Sequence, residues 1–437
     1  MKKIFRAALP LALITALAGC SATAATNSES SATPSFDAAH PVTIEFWNTY
    51  TGPLETSLQT LVGSFEKSHP GIKVKLVYEP YDSELQALQT AVAAKKPPAL
   101  AQLELTSMAQ LAALGALTPL SDAVGASEAK TLGASMTPSI ETANSYDGTL
   151  YTVPMGYNSN VLYYNPSLIQ KAGISTSQLP TTWSELETDA GAITKATGGS
   201  VIGYGFPAQA PWILEVREWQ SGGEIFNAKN TKATFNSKAS LAMFDNYSQL
   251  LKTGGAQMVQ TDSSLDQLTS LFAAGKVAMF EQSSTAYSGI ATAAKFTVGV
   301  SQFPTMGKKV FSLGGYNIGV FKGAPKRQQQ AAAEFEKWWA SPDVSAQWTA
   351  ASGYMPGIQA AWDTQTVKDW EAGNPSRAVA AAQIADARSR PNLPSYPQIS
   401  TDWANAFEAT MSGKGSAKSN LDSAVSQANS ILAKSAG

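Results

Sequence analysis

Cysteine and histidine are almost absent from this chain of 437 residues. Cys20 is the only cysteine, and the only histidines are His40 and His69. Disulfide frameworks, zinc sites and catalytic triads draw on these residue types, so the sequence gives them little support. It also contains no Gly-x-Gly-x-x-Gly and no Gly-x4-Gly-Lys-Ser/Thr segment. We therefore expect no metal and no cofactor.

Charge is also scarce. Charged residues make up 15% of the chain and the formal net charge is −2, so the basic surface that binds nucleic acid is missing and no such partner is expected. Hydrophobic residues make up 44%, which is typical of a globular protein.

The chain of 437 residues is longer than the roughly 250–300 residues at which one hydrophobic core stops growing, so its length predicts two packed lobes.

Only one long apolar run occurs, and it lies at the N-terminus. Three basic residues precede the apolar segment 7–16, which is shorter than the roughly 20 residues that cross a bilayer. The segment Leu-Ala-Gly-Cys that ends at Cys20 resembles the lipobox of bacterial lipoproteins, in which the cysteine is lipidated. We interpret 1–20 as a lipoprotein signal peptide and 21–40 as a flexible linker, which tethers the protein to the extracytoplasmic side of a membrane in the cell envelope. Plain secretion is the alternative.

Segments with the two-residue period of strands alternate with segments of helical period from residue 42 onward. This β-α-β order predicts parallel sheets with helices on their faces and ligands at the carboxyl ends of the strands. The predicted strands are 42–47, 72–78, 99–105, 201–206, 277–280, 296–300 and 316–321, and the predicted helices are 54–67, 85–94, 183–197, 212–222, 237–253, 265–274, 327–339, 342–351 and 417–434.

The segment 150–174 is interpreted as a crossing between the two halves. Its parts 151–154 and 161–165 favour strands, because they are rich in β-branched and aromatic residues. Between them, 156–160 reads as a polar loop that contains Asn158. Loops on a rigid scaffold often carry binding residues, although an ordinary surface turn is the alternative.

Aromatic residues are well represented, with 10 Trp, 14 Tyr and 16 Phe. Trp47, Tyr81, Trp212 and Tyr354 each fall at or near the end of a predicted element. Flat aromatic faces cover the apolar face of a sugar or polyol, while nearby polar groups fix its hydroxyls. Ordinary core packing is the alternative for each of them.

Glu104 falls near the carboxyl end of the predicted strand 99–105, where a carboxylate can accept two hydroxyl hydrogen bonds from a polyol. Gly314 and Gly315 precede the predicted strand 316–321, where main-chain N–H groups could approach a ligand closely. A solvent-facing glutamate and a simple turn are the alternatives. A hydrolase with two carboxylates also stays open, because their separation cannot be read from sequence.

Short blocks along 42–433 are similar, in order, to a known family. They are Phe46-Trp47, Phe65–Pro70, Pro154–Gly173, Thr182–Leu186, Phe272–Met279, Gly353–Pro356 and Ser412–Lys414. Behind a lipobox, they resemble the extracellular solute-binding proteins of ABC importers, family 1, near the glycerol-3-phosphate-binding branch and the sugar binders.

That resemblance implies a monomeric binding protein, not an enzyme, with an α/β, two-lobed, periplasmic-binding-protein-like fold of type II. Each lobe is a sheet flanked by helices, the solute is held in the cleft between them, and the closed form docks on an ABC permease. The N-terminal lobe is expected to comprise 41–153 and 282–325, and the C-terminal lobe 154–281 and 326–437.

The resemblance also implies the site. Tyr81 faces the ligand, Glu104 holds its hydroxyls and Trp212 stacks on it, while Asn158 lies on the crossover. The positions that match the phosphate end of the branch are Ser284, Gly315 and Tyr354.

One departure from that branch affects the expected solute. The segment Tyr396–Ser400 has no arginine, where the branch carries one that pairs with phosphate. Arg388, Arg390 or Lys322 could supply the charge from nearby segments. We therefore favour a neutral carbohydrate or polyol over glycerol-3-phosphate or a glycerophosphodiester, and keep a surface glycoside hydrolase and an adhesin as alternatives.

Overall fold

The computed structural model describes residues 35–260 and 264–435. The predicted signal peptide 1–20, with Cys20, and most of the predicted linker lie outside these residues. Within them, no helix combines the length and the apolar character that crossing a membrane requires.

The strands of the described residues form two larger sheets and one short hairpin. Their bounds are β1 (Val42–Asn48), β2 (Ile72–Tyr78), β3 (Leu100–Glu104), β4 (Ser145–Tyr146), β5 (Thr149–Leu150), β6 (Thr152–Asn158), β7 (Asn160–Tyr164), β8 (Ile202–Pro207), β9 (Ala256–Val259), β10 (Val277–Ser283), β11 (Gly299–Gln302), β12 (Phe311–Val320) and β13 (Ala387–Ser389).

Helices cover both larger sheets. Their bounds are α1 (Gly52–Ser68), α2 (Tyr81–Ala93), α3 (Leu105–Ala113), α4 (Leu120–Val124), α5 (Ala126–Ala134), α6 (Pro138–Ala143), α7 (Pro166–Lys171), α8 (Trp183–Ala196), α9 (Pro211–Gln220), α10 (Lys238–Lys252), α11 (Ser264–Ala273), α12 (Tyr287–Ala293), α13 (Lys326–Trp339), α14 (Pro342–Ser352), α15 (Gln365–Ala372), α16 (Pro375–Gln383), α17 (Tyr396–Met411) and α18 (Ala417–Ser435).

The first sheet has the order β13-β12-β3-β1-β2, with β6 paired to β12. β1 runs parallel to β2 and β3, whereas β12 is antiparallel to β3 and β6. Alternation along β1 buries Ile44 and Phe46, and α1 presents Leu58 and Phe65 to the same core. Parallel strands put the ends of β1 and β3 at one edge, which is where Glu104 lies.

The second sheet has the order β11-β7-β10-β8-β9. β8 is parallel to β9 and β10, while β7 is antiparallel to β10 and β11. Its core includes Phe206 on β8, Tyr247 on α10 and Trp403 on α17. The predicted α/β architecture with two lobes is confirmed.

The crossing between the lobes differs from the predicted loop. Residues 156–158 continue β6, because their backbone pairs with Gly314–Tyr316 of β12. Ser159 alone separates β6 from β7, and its side chain is buried. Asn158 is therefore the last residue of a strand.

The packing of several elements differs from the predicted lobe boundaries. Helix α13 packs on β1, with the rings of Phe335 and Phe46 5.5 Å apart, although 326–437 was assigned to the second lobe. Strand β11 pairs with β7 in the second sheet, although 282–325 was assigned to the first. The periodicity of an amphipathic helix or a short strand does not indicate which sheet the helix packs on or the strand joins. The sequence therefore could not assign these elements to a lobe.

The folded part of the chain also begins earlier than predicted. Phe36 packs against the first core, and a Cβ atom on Gly71 would come within 2.4 Å of the Phe36 carbonyl carbon. The absence of a side chain on Gly71 therefore allows Phe36 to pack there. The last residues of the predicted linker 21–40 belong to the compact unit 36–437.

Candidate functional site

A pocket of about 140 Å3 lies where elements of the two lobes meet. From the first lobe come the start of α2, the end of β3, the end of β6 and the middle of β12. From the second come the start of α9 and the end of β10. The lining residues are Tyr81, Glu104, Asn158, Trp212, Ser283, Ser312, Gly314, Gly315, Tyr316, Tyr354 and Arg390.

Six of the eight residues predicted from the sequence line this one pocket: Tyr81, Glu104, Asn158, Trp212, Gly315 and Tyr354. They are up to 273 positions apart in the chain, from Tyr81 to Tyr354. Of the other five lining residues, the sequence pointed to Gly314 as a place of close main-chain approach and to Arg390 as a source of charge, whereas Ser283, Ser312 and Tyr316 were not predicted. Tyr316, at the start of a predicted strand after two glycines, carried a signal that could have identified it.

The structure does not bring Trp47 and Ser284 to the pocket surface. Trp47 packs beside the cluster around Leu88, and its Nε1 donates to Glu45 at 3.3 Å. Ser284 is buried, and its carbonyl accepts a hydrogen bond from Ser376 Oγ at 2.7 Å. Its neighbour Ser283 lines the pocket instead.

Aromatic side chains form much of the wall. Tyr316 and Tyr354 stand edge to face, 6.0 Å apart, and Tyr50 lies behind both at 5.9 and 6.5 Å. Burial raises the pKa of Tyr354 to about 12, so its hydroxyl stays protonated and can both donate and accept. Trp212 is half-buried, and Tyr81 is 59% exposed at the rim.

Two glycines shape the floor beside Asn158. A Cβ atom on Gly314 would lie 2.4 Å from Asn158 Oδ1, so any larger residue would displace the asparagine side chain. Gly315 has a φ of +133°, and a Cβ atom there would lie 2.2 Å from the Gly156 carbonyl oxygen. Glycine is required at both positions, for space at the first and for backbone conformation as well at the second.

Glu104 is held by two partners. Its Oε2 accepts a hydrogen bond from the Thr106 N–H at 2.9 Å and another from the Thr106 hydroxyl, so it caps α3. Its Oε1 accepts from Arg390 Nη1 at 2.8 Å. The sequence did not predict either contact, because glutamate is not a preferred N-cap residue and Arg390 is 286 positions away.

Arg390 is the only cationic side chain among the described lining residues. Its Nε and Nη2 donate to the two oxygens of Glu215 at 2.7 and 2.8 Å. Glu215 lies on α9 and is fully buried. Burial alone would lower the pKa of Arg390, but the neighbouring Glu215 and Glu104 carboxylates raise it overall, so the guanidinium is charged.

The other two cations considered from the sequence lie elsewhere. Arg388 pairs with both oxygens of Glu224 at 3.0 and 2.6 Å, beside a second cavity of about 410 Å3 that shares Arg390 with the pocket. Lys322 follows the far end of β12, where its N–H donates to the Ala116 carbonyl. Neither lines the pocket.

Helix α9 carries several buried polar groups besides Glu215. Arg217 donates to Glu281 and to the Pro304 carbonyl, and its guanidinium stacks on the Phe303 ring at 3.9 Å. Glu218 Oε1 accepts from Ser240 Oγ at 2.6 Å. These contacts fix the rotation of the helix whose first turn holds Trp212.

Glu84 adds a further acidic group near the site, beside Glu104. It lies on α2, is 4% exposed, and its Oε1 has no hydrogen-bond partner in the described part of the chain. Burial raises the pKa of Glu84 to about 8, and the charges of Glu104 and Glu79 add to the effect. Its carboxyl group is therefore neutral near pH 7. The described residues contain no group of three or more His, Cys, Asp or Glu side chains placed to hold a metal ion.

Comparisons with known proteins identify the family of the chain. The chain is 27% identical, over 409 residues, to the sn-glycerol-3-phosphate-binding periplasmic protein UgpB of Yersinia pseudotuberculosis serotype I, covering 89% of this chain and 92% of that one. Its fold is similar to that of the cyclic alpha-maltosyl-1,6-maltose binding protein from Arthrobacter globiformis, with a TM-score of 0.80, 24% identity, and 90% and 100% of the two chains covered.

It is also similar to UgpB from Mycobacterium tuberculosis in complex with glycerophosphocholine, with a TM-score of 0.79, 22% identity, and 91% and 100% of the two chains covered. These relatives are binding proteins. The family model described as bacterial extracellular solute-binding protein matches residues 60–375. This chain therefore belongs to the family of bacterial extracellular solute-binding proteins.

Proposed function

We propose that this protein captures a neutral carbohydrate or polyol in the interlobe pocket and delivers it to the permease of an ABC importer, without chemical turnover. The observation that carries the proposal is the composition of the pocket wall. Trp212, Tyr316 and Tyr354 offer aromatic surface, while Asn158 and Glu104 offer polar groups for hydroxyls. This combination suits a polyhydroxylated ligand with apolar ring or chain faces.

The mechanism follows from the origin of the lining. A ligand that touches Glu104 on the first lobe and Trp212 on the second forms its full set of contacts only when both lobes surround it. Binding therefore shifts the equilibrium toward the closed form, and the size of the shift is set by how much more tightly the closed form binds the ligand than the open form does. The closed form is the one we expect the permease to recognise.

Glycerol-3-phosphate is the second candidate solute, because the curated relative is named for it. The pocket contains tyrosine hydroxyls, serines and glycine N–H groups that could contact a phosphate. The cation among its described lining residues, Arg390, is however already paired with two carboxylates. A phosphate would therefore enter without a free guanidinium to neutralise it.

Calorimetric titration of the compact unit 36–437 would test the proposal. The titrants are maltose, cyclic and linear oligosaccharides, ribitol, sn-glycerol-3-phosphate and glycerophosphocholine. We expect a neutral titrant to bind with a dissociation constant near the micromolar range and no chromogenic glycoside to be hydrolysed. Binding of phosphorylated titrants alone, or release of product from a glycoside, would contradict it.

The membrane anchor is part of the same proposal. Cys20, at the end of a Leu-Ala-Gly-Cys segment, is expected to be lipidated and to tether a monomeric receptor to the membrane. Metabolic labelling with an alkyne fatty acid should mark the full-length protein and not a Cys20→Ala variant. Equal labelling of the two, or release of both into the medium, would indicate plain secretion.

A further inference from the structure

Arg390 connects the two sides of the pocket through its guanidinium group. Nη1 donates to Glu104, at the end of β3, while Nε and Nη2 form a two-point contact with Glu215 on α9. The distances are 2.7–2.8 Å, which is the range of strong charge-assisted hydrogen bonds. The arginine side chain is 13% exposed, and the two carboxylates are 17% and 0% exposed.

The charges of this cluster do not balance. One guanidinium (+1) and two carboxylates (−2) give a net charge of −1 at this end of the pocket. An arginine in a pocket usually attracts phosphate or carboxylate, because its fork of donors matches their oxygens. Here the Nε–Nη2 edge of that fork is occupied by Glu215, and Nη1 is directed to Glu104.

We propose that Arg390 and Glu215 are specificity-determining residues: Glu215 fixes and neutralises Arg390, so that the pocket admits a neutral polyhydroxylated solute and rejects phosphate and other anionic groups. This rests on the proposed function in so far as the same pocket is the solute site. Arg390 also acts as a positioning residue, since it and Thr106 hold the two oxygens of Glu104 in a fixed orientation toward ligand hydroxyls.

The exclusion of anions has a direct physical cause. Like charges that are partly buried repel each other with little screening by salt. A phosphate beside Arg390 would lie close to both carboxylates as well, and the Nε–Nη2 edge that could hold two of its oxygens is occupied by Glu215. A neutral hydroxyl faces no such repulsion and can donate to Glu104 while Arg390 stays in place.

The experiment changes the charge without changing the shape. Glu215→Gln removes one negative charge from a buried residue that does not line the pocket, and Glu224→Gln is its matched control, because Glu224 pairs with Arg388 outside the pocket. The probe is sn-glycerol-3-phosphate, titrated into the protein 36–437. We expect Glu215→Gln to bind this probe at least tenfold more tightly than the unmodified protein, and Glu224→Gln to bind it no more tightly.

A second variant covers the case in which Glu215→Gln does not fold. Glu104→Gln removes the other negative charge and should raise affinity for the same probe by a similar factor, while it weakens binding of any neutral solute. A purely structural role for the cluster would lower affinity for all ligands together and would leave the preference between phosphorylated and neutral ligands unchanged.

Three results would overturn the inference. They are tight binding of sn-glycerol-3-phosphate by the unmodified protein, no gain in either folded variant, and loss of folding in both variants. Failure of this inference can be distinguished from failure of the proposed function. If no neutral solute binds but the variants gain affinity for the phosphorylated probe, only the carbohydrate assignment fails.

Discussion

Gln383, the last residue of α16, is hydrogen-bonded to Ser159 at the crossing between the lobes. Its Nε2 donates to Ser159 Oγ at 3.0 Å and to the Asn160 carbonyl at 2.7 Å, and its Oε1 accepts from the Phe303 N–H at 3.1 Å. All of these groups are buried. One side chain thus satisfies the polar groups of two chain segments where they pass between the lobes.

Gln383→Leu should therefore destabilise the protein. The substitution leaves buried donors and acceptors unpaired, and we expect the free energy of unfolding to fall by about 2–4 kcal/mol. The control is Gln398→Leu, at an exposed position on α17. Urea denaturation measures both, and equal midpoints for the two variants would show that the buried contacts contribute little.

Asn158 is expected to contact the solute. Asn158→Ala should weaken binding about tenfold, as loss of a well-placed hydrogen bond does, with an unchanged melting temperature of the empty protein. Gly314→Ala should have a similar effect on affinity, because the added methyl group displaces the Asn158 side chain.

A double-mutant cycle with these two substitutions makes the test specific. If both act through the same amide, the double variant should bind about as weakly as either single variant. Unchanged affinity in Asn158→Ala would place this side chain outside the binding contacts.

Trp212 and Trp47 provide a matched pair. Both were predicted site residues, but Trp212 lines the pocket and Trp47 does not. We expect Trp212→Leu to weaken carbohydrate binding by about tenfold or more, through loss of a stacking surface, and Trp47→Leu to leave it nearly unchanged. Calorimetric titration checks this, and an equal loss in both variants would refute the assignment of the pocket.

Stability should depend on pH through Glu84. Its pKa is about 8 in the folded protein and has an ordinary value of 4.5, so the folded state holds the proton more tightly than the unfolded state. The stabilisation is therefore fully present below pH 4.5 and is lost as the pH rises toward 8. We expect Glu84→Gln to reduce this fall between pH 5 and pH 8 by about 2–4 kcal/mol.

Urea denaturation at the two pH values measures this effect. Other buried acids titrate in the same range, including Glu218 with a pKa of about 7, so the comparison with the unmodified protein is essential. An unchanged slope in Glu84→Gln would show that this carboxyl group is not protonated in the folded protein.

Periodicity in the sequence predicted the elements with a clear buried face. The predicted strand 72–78 matches β2, and the predicted helix 342–351 differs from α14 by one residue. Predicted strand 296–300 was less accurate, since β11 is Gly299–Gln302. The short helices within 105–143 were not predicted, because segments of five to nine residues contain too few turns to show a period.

For the site, the sequence identified side chains that face the cleft but not the groups that hold them. Tyr81 and Trp212 begin helices at the edge of the sheets, and their residue type and position indicated a role together with the family resemblance, whereas type and position alone also pointed to Trp47, which does not line the pocket. Arg390 and Glu215 are 175 positions apart, and no local pattern marks such a contact. The contact of the Arg390 Nε and Nη2 donors with Glu215 arises only from tertiary packing.

The buried charges of α9 have a consequence for how the solute preference of this protein can change. Glu215, Arg217 and Glu218 are consecutive or nearly so, and each is paired with a different element. A substitution at any of them requires a compensating substitution elsewhere, so these positions should vary only in pairs. Tyr81 is exposed at the rim of the pocket, and single substitutions there are the simplest route by which this receptor could adapt to a larger or smaller solute.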